Sequence, residues 1–454
     1  MSHMPDVNPT IDAVAGRSLP GSVNLLSLGA IGLGFVAFLF GLFAGGEEGA
    51  AWAWGSVLVG ILFTLALAQG GVMFGVIMTG TWARWGRPVK RIAETFGLFM
   101  PFVWLALVVF LIGGIGIYPW NPDTIVASGP VDLAPHSPEA LASKPIWLSK
   151  WFFIGRQILF VGLLVVLDLI WVRASMKPDL VQAKARLGDK APGWWSSITG
   201  GSTDLEGAIK SSLKTQNMML PVMALAYAVI MSFLAFDLIM SLSPWWFSNM
   251  FGGWIFVSSF WVSLACVGFV AMMGREWLKI GDFVKGNVTH DIGKLLLAGC
   301  MFWAYTTYAQ LLPIWYTDMP EETDFLLIRL QLPQWAWLAQ TVGIMCFVAP
   351  FTVLLSRGIK KMRYPFAGIC ALIMVGIFLE RSLLVFPSIY MAPNFPWFNF
   401  LFVTVGVWAG FLGAFTQVVG RVLASTPGVC IADPYLEPHP WDVHVSSLDA
   451  PGHH

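Results

Sequence analysis

The sequence predicts an all-α integral membrane protein of about ten transmembrane helices, and three observations carry that prediction. Only 11% of the 454 residues are charged and 57% are hydrophobic, with a mean hydropathy of +0.71; soluble domains carry roughly 25% charged residues. Ten apolar runs are long enough to cross a bilayer, which takes about 20 residues because lipid offers no partner for exposed backbone N–H and C=O groups. The connecting segments alternate between strongly and poorly basic, the pattern left when every second loop stays in the cytoplasm.

The runs fall at about 23–44, 51–78, 92–117, 148–172, 216–242, 250–273, 292–316, 333–356, 365–386 and 397–420. Residues 1–22 are polar, without the basic n-region or cleavage site of a removable signal, so this N-terminal segment is expected to stay where it is made. Run 2 carries Gly71 and Gly75, a GxxxG spacing that lets a neighbouring helix approach closely. After it stand Arg84, Arg87, Lys90 and Arg91; after run 4 stand Arg173, Lys177, Lys184, Arg186, Lys190, Lys210 and Lys214. Further basic residues follow runs 6 and 8, whereas the other loops hold only Lys144, Lys150 and Arg329. Both termini are therefore expected in the cytoplasm, as an even number of spans requires. The basic loop 173–215 reads as a cytoplasmic interfacial segment, and the tail 423–454 as extended, partner-bound or disordered. Twenty-six basic against 26 acidic residues give zero formal charge, which excludes electrostatic binding of nucleic acid as a main activity.

A weak internal echo organises the runs. Run 2 leaves the bilayer as MTGTWARWG and run 6 as MMGREWLKIG; run 3 opens with RIAE and run 7 with DIGK. The paired runs cross in the same direction, so this is a parallel repeat offset by four helices. It predicts two four-helix bundles, helices 2–5 and 6–9, with helices 1 and 10 at the edges, and places Glu94 opposite Lys294 as a possible pair across the bundle interface.

Redox cofactor ligands are sparse. Membrane cytochromes hold haem between helix-borne histidines, yet of His3, His136, His290, His439, His444, His453 and His454 only His290 lies near an apolar run. Cys266, Cys300, Cys346, Cys370 and Cys430 stand singly, without CxxC or CxxCH, and read as small buried hydrophobes. No cofactor or metal is therefore expected on this chain, and any electron transfer is expected in a partner.

Ionisable groups inside apolar runs cost several kcal/mol unless paired or hydrated, so each is a functional candidate. Toward the cytoplasmic side lie Glu94, Asp168, and the group His290, Asp291 and Lys294; toward the outer side lie Arg156, Asp237, Glu380 and Arg381. Run 7 places Asp291, Lys294, Ala298, Met301, Tyr305 and Tyr308 at helical spacing, and with Gln69 and Gln340 these hydroxyl and amide groups are candidates to bridge the two layers. The functional reading is a proton path taken up by His290, Asp291 and Asp168 and released by Asp237 and Glu380, with Arg156 or Arg381 tuning the carboxylates. The alternative is that the charges pair, Lys294 with Asp291 and Glu94 with Lys90 or Arg91, and fix helix register only. The densest acid, Asp318, Glu321, Glu322 and Asp324 in IWYTDMPEETDF, falls at the outer end of run 7. Trp315 and Tyr316 mark the headgroup layer there, Pro320 ends the helix, and the carboxylates read as an outer-face docking surface or a proton exit.

Ten spans in this pattern, RIAE opening run 3, HDIGK opening run 7 and FWAYTTYAQLLPIWYTDMPEET closing it resemble the NrfD/polysulfide-reductase-type membrane subunits of bacterial alternative complex III, over about residues 23–422. Such complexes pair two paralogues, ActC, which forms the quinol site, and ActF. With Gln69 where a histidine of the ActC type would roughly fall, and only Trp85-Gly86-Arg87-Pro88 of an HLGRPW-like motif, this chain resembles the ActF type. The resemblance implies a multi-pass subunit of a quinol:cytochrome c oxidoreductase in the bacterial inner membrane, with no catalytic residue of its own and a part in proton translocation or assembly. Implied partners are an ActC-like paralogue, an iron–sulfur subunit, multihaem and monohaem cytochromes c and small membrane subunits, with the haem c and iron–sulfur clusters in those partners and quinol as the substrate of the complex. Two other readings stand beside it: a quinone-binding subunit of the same complex, its quinone residues unknown, and an autonomous secondary transporter, which commonly shows inverted rather than parallel repeats.

Overall fold

The computed structural model describes residues 5–121, 124, 146–390 and 394–436, apart from the side chains at positions 320 and 321. Of the described residues 81% are helical, and none is in a strand. Among the described residues, ten helices are long and apolar enough to cross a membrane: α1 (Gly21–Ala44), α2 (Gly46–Gly80), α3 (Arg87–Gly113), α4 (Lys150–Lys190), α5 (Leu205–Leu242), α6 (Phe251–Met273), α7 (Gly286–Thr317), α8 (Pro333–Leu355), α9 (Arg363–Ser388) and α10 (Asn399–Ala424). This is an all-α multi-pass membrane protein. His3, His136, His439, His444, His453 and His454 lie outside the described residues.

Helix α2 is the axis. It is apolar on every side and buried along its spanning length, as a helix without a polar stripe must be. Helices α2, α3, α4 and α5 contact one another in a closed ring, and α6, α7, α8 and α9 form a second ring. The rings join along α2 and α6, while α1 and α10 pair with each other and lie on α2, which is the arrangement the parallel repeat predicts. Backbone proximity sets two of these joints. A Cβ on Gly71 would lie 2.4 Å from the Ala93 carbonyl oxygen, and one on Gly34 would lie 2.7 Å from Gly410 Cα. The outward sides of α1, α3, α4 and α7 expose large apolar residues such as Leu25, Phe43, Ile112, Trp151 and Trp315, surface that only lipid or a partner can cover without cost.

Arg17 donates to the carbonyls of Leu423 (2.7 Å) and Ala424 (3.2 Å) and to that of Thr426. The N-terminal segment and the end of α10 therefore share one face, the termini face. Three segments on the two faces depart from the expected picture. The basic stretch 173–215 is mostly helix, because α4 continues to residue 190 and α5 starts at residue 205. Pro178 inside α4 cannot donate to the carbonyl of Ala174, and Ser212 Oγ donates to that oxygen instead, at 2.7 Å. Residues 425–436 are no loose tail: Val429, Cys430 and Ile431 are buried, and Trp195 Nε1 donates to Ser425 O at 2.9 Å. On the opposite face, α7 ends at Thr317 with Asp318 in the left-handed conformation (φ 48°). Pro320 opens a further helix, Pro320–Leu330, where a residue without an N–H suits the first turn. Pro320 therefore starts an element as well as following the end of one.

Candidate functional site

The first ring holds three polar groups in series along α4, whose inward face carries Gln157, Val161, Leu164, Asp168 and Ser175 at one- and two-turn spacings. At the termini face Glu94 accepts from Ser175 Oγ (2.6 Å), Trp171 Nε1 (3.2 Å) and Arg91 Nη1 (3.2 Å), with Lys90 Nζ at 3.7 Å. Arg91 also reaches Asp179 (2.6 Å), and Arg87 and Lys90 reach Asp433 of the terminal segment (2.7 and 3.3 Å). Asp179 accepts in turn from the Ala432 N–H at 2.8 Å. Lys90 donates to Gln216 on α5 (3.2 Å), which also binds Ser212. One network thus ties α3, α4, α5 and residues 432–433 together. Burial raises the affinity of Asp433 for a proton, but Lys90 and Arg87 outweigh it and hold the carboxyl below its ordinary value.

Asp168 lies seven residues further along α4, about 10 Å at 1.5 Å per residue. It is wholly buried; Gln69 of α2 donates to one carboxylate oxygen, and the other has no hydrogen-bond partner among the described residues. No cation pairs with it among those residues. Glu94, Asp237 and Glu380 all have one.

Another eleven residues, about 16 Å, separate Asp168 from Gln157, with buried Val161 and Leu164 between them. There Asp237 of α5 receives four donors: Arg156 Nε (2.8 Å) and Nη2 (2.9 Å), Gln157 Nε2 (2.6 Å) and Trp147 Nε1 (3.0 Å). The Arg156 guanidinium lies 3.9 Å from the Trp147 ring centroid. Gln157 Oε1 has no partner among the described residues.

The second ring has a different distribution. Glu380 and Arg381, adjacent on α9, pair at 2.5 Å; Trp303 Nε1 donates to Glu380 (2.6 Å) and Arg381 to Ser258 Oγ (2.7 Å). Glu380 lines a cavity of about 840 Å³ between α7, α8, α9 and the 320–330 helix, walled by Trp246, Trp303, Phe347 and Arg329 among others. Arg329 is buried, donates to the carbonyls of Phe325, Leu383 and Leu384, and is pushed down to about 9 by that burial. At the far end of α7, Lys294 pairs with Asp291 (2.6 Å) and His290 stands 3.8 Å from the same carboxylate.

The sequence reading meets several corrections here. Tyr305 and Tyr308 are 63% and 59% exposed, and the buried face of α7 is Ile292, Leu296, Cys300, Trp303 and Gln310; Tyr308 and Gln340 line the cavity beside Glu380. The residues expected along one path fall in both rings: His290, Asp291 and Glu380 in the second, Asp168 and Asp237 in the first. Glu94 and Lys294 do not pair across the interface; each takes the partner one turn away. Asp318 is exposed and Glu322 half-buried, but Asp324 is buried, so the acidic stretch is not one solvated surface; the Glu321 side chain lies outside the described residues. Arg87, read as loop charge, and Lys90 and Arg91, read as loop charge or as partners of Glu94, are all interior groups, and their spacing with Glu94 on one helical face was the available signal. Asp179 and Asp433 carried none, since their partners are remote in sequence.

No known protein family and no curated protein matches the chain. Among the described residues, no group of three His, Cys, Asp or Glu is placed to hold a metal ion.

Proposed function

We propose that this chain is an ActF-type, cofactor-free membrane subunit of a quinol:cytochrome c oxidoreductase and that its first ring, α2–α5, moves protons between the two faces. The observation that carries this reading is Asp168: a wholly buried carboxylate, near the middle of α4, held by an amide and by no cation. An ion pair fixes a charge state, whereas a carboxylate of this kind is free to exchange a proton. The termini-face network delivers protons as far as Glu94 and Ser175, Asp168 relays them, and Gln157 with Asp237 passes them on. Water bridges the two apolar steps, accepted by the unpaired oxygens of Asp168 and Gln157. The charge bias supports a cytoplasmic termini face and the resemblance a bacterial inner membrane, with haem c and iron–sulfur clusters in partner subunits. Asp168→Asn tests the relay, since the Asn oxygen still accepts from Gln69. In vesicles containing the full complex, proton release per turnover should fall about tenfold or more; unchanged release at unchanged turnover refutes it. Co-purification of haem supports the complex, and a haem-free monodisperse chain supports an autonomous transporter.

A second reading has its own observation. The cavity of about 840 Å³ beside Glu380 is within the roughly 300–1,000 Å³ of sites for small apolar ligands. It favours a quinone bound by this subunit, with Trp246, Trp303 and Arg329 on its walls.

A further inference from the structure

On the termini face, α3, α4, α10 and the segment around Trp194 enclose a groove of about 510 Å³. Its floor is apolar, formed by Leu98, Leu169 and Val172. Its rim carries Arg173 and Arg421. Each arginine is the first residue beyond its helix's apolar run, the depth at which a bilayer changes from acyl chain to headgroup. Arg173 donates to the Ser197 carbonyl at 3.0 Å. Neither guanidinium pairs with a carboxylate among the described residues, whereas Arg87, Lys90, Arg91, Arg156 and Arg381 all do. Trp194 beside them is 39% exposed, while its neighbour Trp195 is buried and anchors the segment to Ser425; a half-exposed indole at this depth is an interfacial side chain. Two unpaired cations above an apolar slot, open to the membrane side, present complementary halves of one kind of molecule.

We propose that this groove seats one anionic phospholipid, its phosphate held by Arg173 and Arg421 and an acyl chain laid along Leu98, Leu169 and Val172. Anionic headgroups gain on the order of 1 kcal/mol per surface cation over zwitterionic ones, so the two arginines give a preference of about 30-fold. The bound lipid ties α3, α4 and α10 together at the face where residues 425–436 dock.

Native mass spectrometry of the full chain, released from micelles holding equal amounts of phosphatidylglycerol and phosphatidylcholine, reads that preference directly. The expected result is one retained phosphatidylglycerol, with the preference falling to near unity in R173Q/R421Q and largely restored in R173K/R421K. A thermal midpoint of R173Q/R421Q in phosphatidylcholine equal to that of the parent shows that the variant is folded. The site is overturned by equal retention of the two lipids in the parent or by an unchanged preference in R173Q/R421Q. Displacement of the lipid by millimolar inorganic phosphate, with the same arginine dependence, makes it a small-anion site instead. Retention of a quinone in place of the phospholipid also overturns the proposal.

Discussion

Replacing Asp237 by Asn keeps the shape of the opposite-face pair and removes its charge. Four donors converge on this carboxylate, from Arg156, Gln157 and Trp147. An amide offers one oxygen to them and turns an NH2 toward the rest, so at least one pair of donors loses its acceptor. The Arg156 side chain, only 5% exposed, is left as a cation beneath Trp147 with no counter-charge. Breaking a buried pair by removing one partner costs about 3–5 kcal/mol. For a chain of 454 residues, an unfolding entropy of about 2.1 cal/mol/K per residue makes that a fall of roughly 3–5 °C in the thermal midpoint. Differential scanning of the purified protein in detergent measures it. D237N/R156Q, in which no buried charge remains, should lose less than D237N alone, because the main cost is the orphaned cation. A midpoint within about 1 °C of the parent for D237N, or a double variant that costs the sum of the two singles, refutes the reasoning.

Three further outcomes follow from the packing. Gly71→Ala should destabilise by about 1–3 kcal/mol, because the added Cβ meets the Ala93 backbone oxygen and Phe96 Cβ at 2.4 and 2.9 Å; the thermal midpoint tests it, and Gly368→Ala, with open space around it, is the neutral control. Cys430 is 2% exposed and burial pushes its thiol up, so maleimide labelling of a Cys430-only variant should be slow and should accelerate about tenfold or more in D433A, which frees the segment. The same assay has a defined pH dependence. Asp433 is held below its ordinary value near 3.8, so the docking free energy it supplies is complete above that pH and is lost as pH falls through the lower, folded-state value; labelling corrected for thiolate fraction should rise only under acid conditions, and not at all in D433N.

Much of the fold was legible because lipid imposes it. The number of spans, their order and the two-bundle pairing follow from apolar length and the echo between runs 2–3 and 6–7, since each backbone must satisfy its hydrogen bonds within its own helix. Ends of helices were less legible: α4 and α5 run on beyond the bilayer, where composition no longer marks them. Side-chain direction was legible only where the surroundings are uniform. The stripe from Asp291 to Tyr308 has the right spacing for one face, but spacing does not say which face turns inward. Trp303 donates to Glu380 of α9, Cys300 to the Phe347 carbonyl of α8, and the Leu296 carbonyl accepts from Trp261 of α6, which leaves the tyrosines on the more exposed side.

The amino-acid sequence by itself determined the class of molecule, the number of crossings, the close contact at Gly71 and the local pairs Lys294–Asp291 and Glu94–Arg91, all of which depend on neighbours within a turn or on lipid. Tertiary structure decided the rest. It gave Asp237 to Arg156, Asp168 to Gln69 and Asp433 to Arg87, and among the described residues left Arg173 and Arg421 without carboxylates. These partners are separated by tens to hundreds of residues, and a buried charge takes whichever counter-group the packed helices bring within about 3 Å.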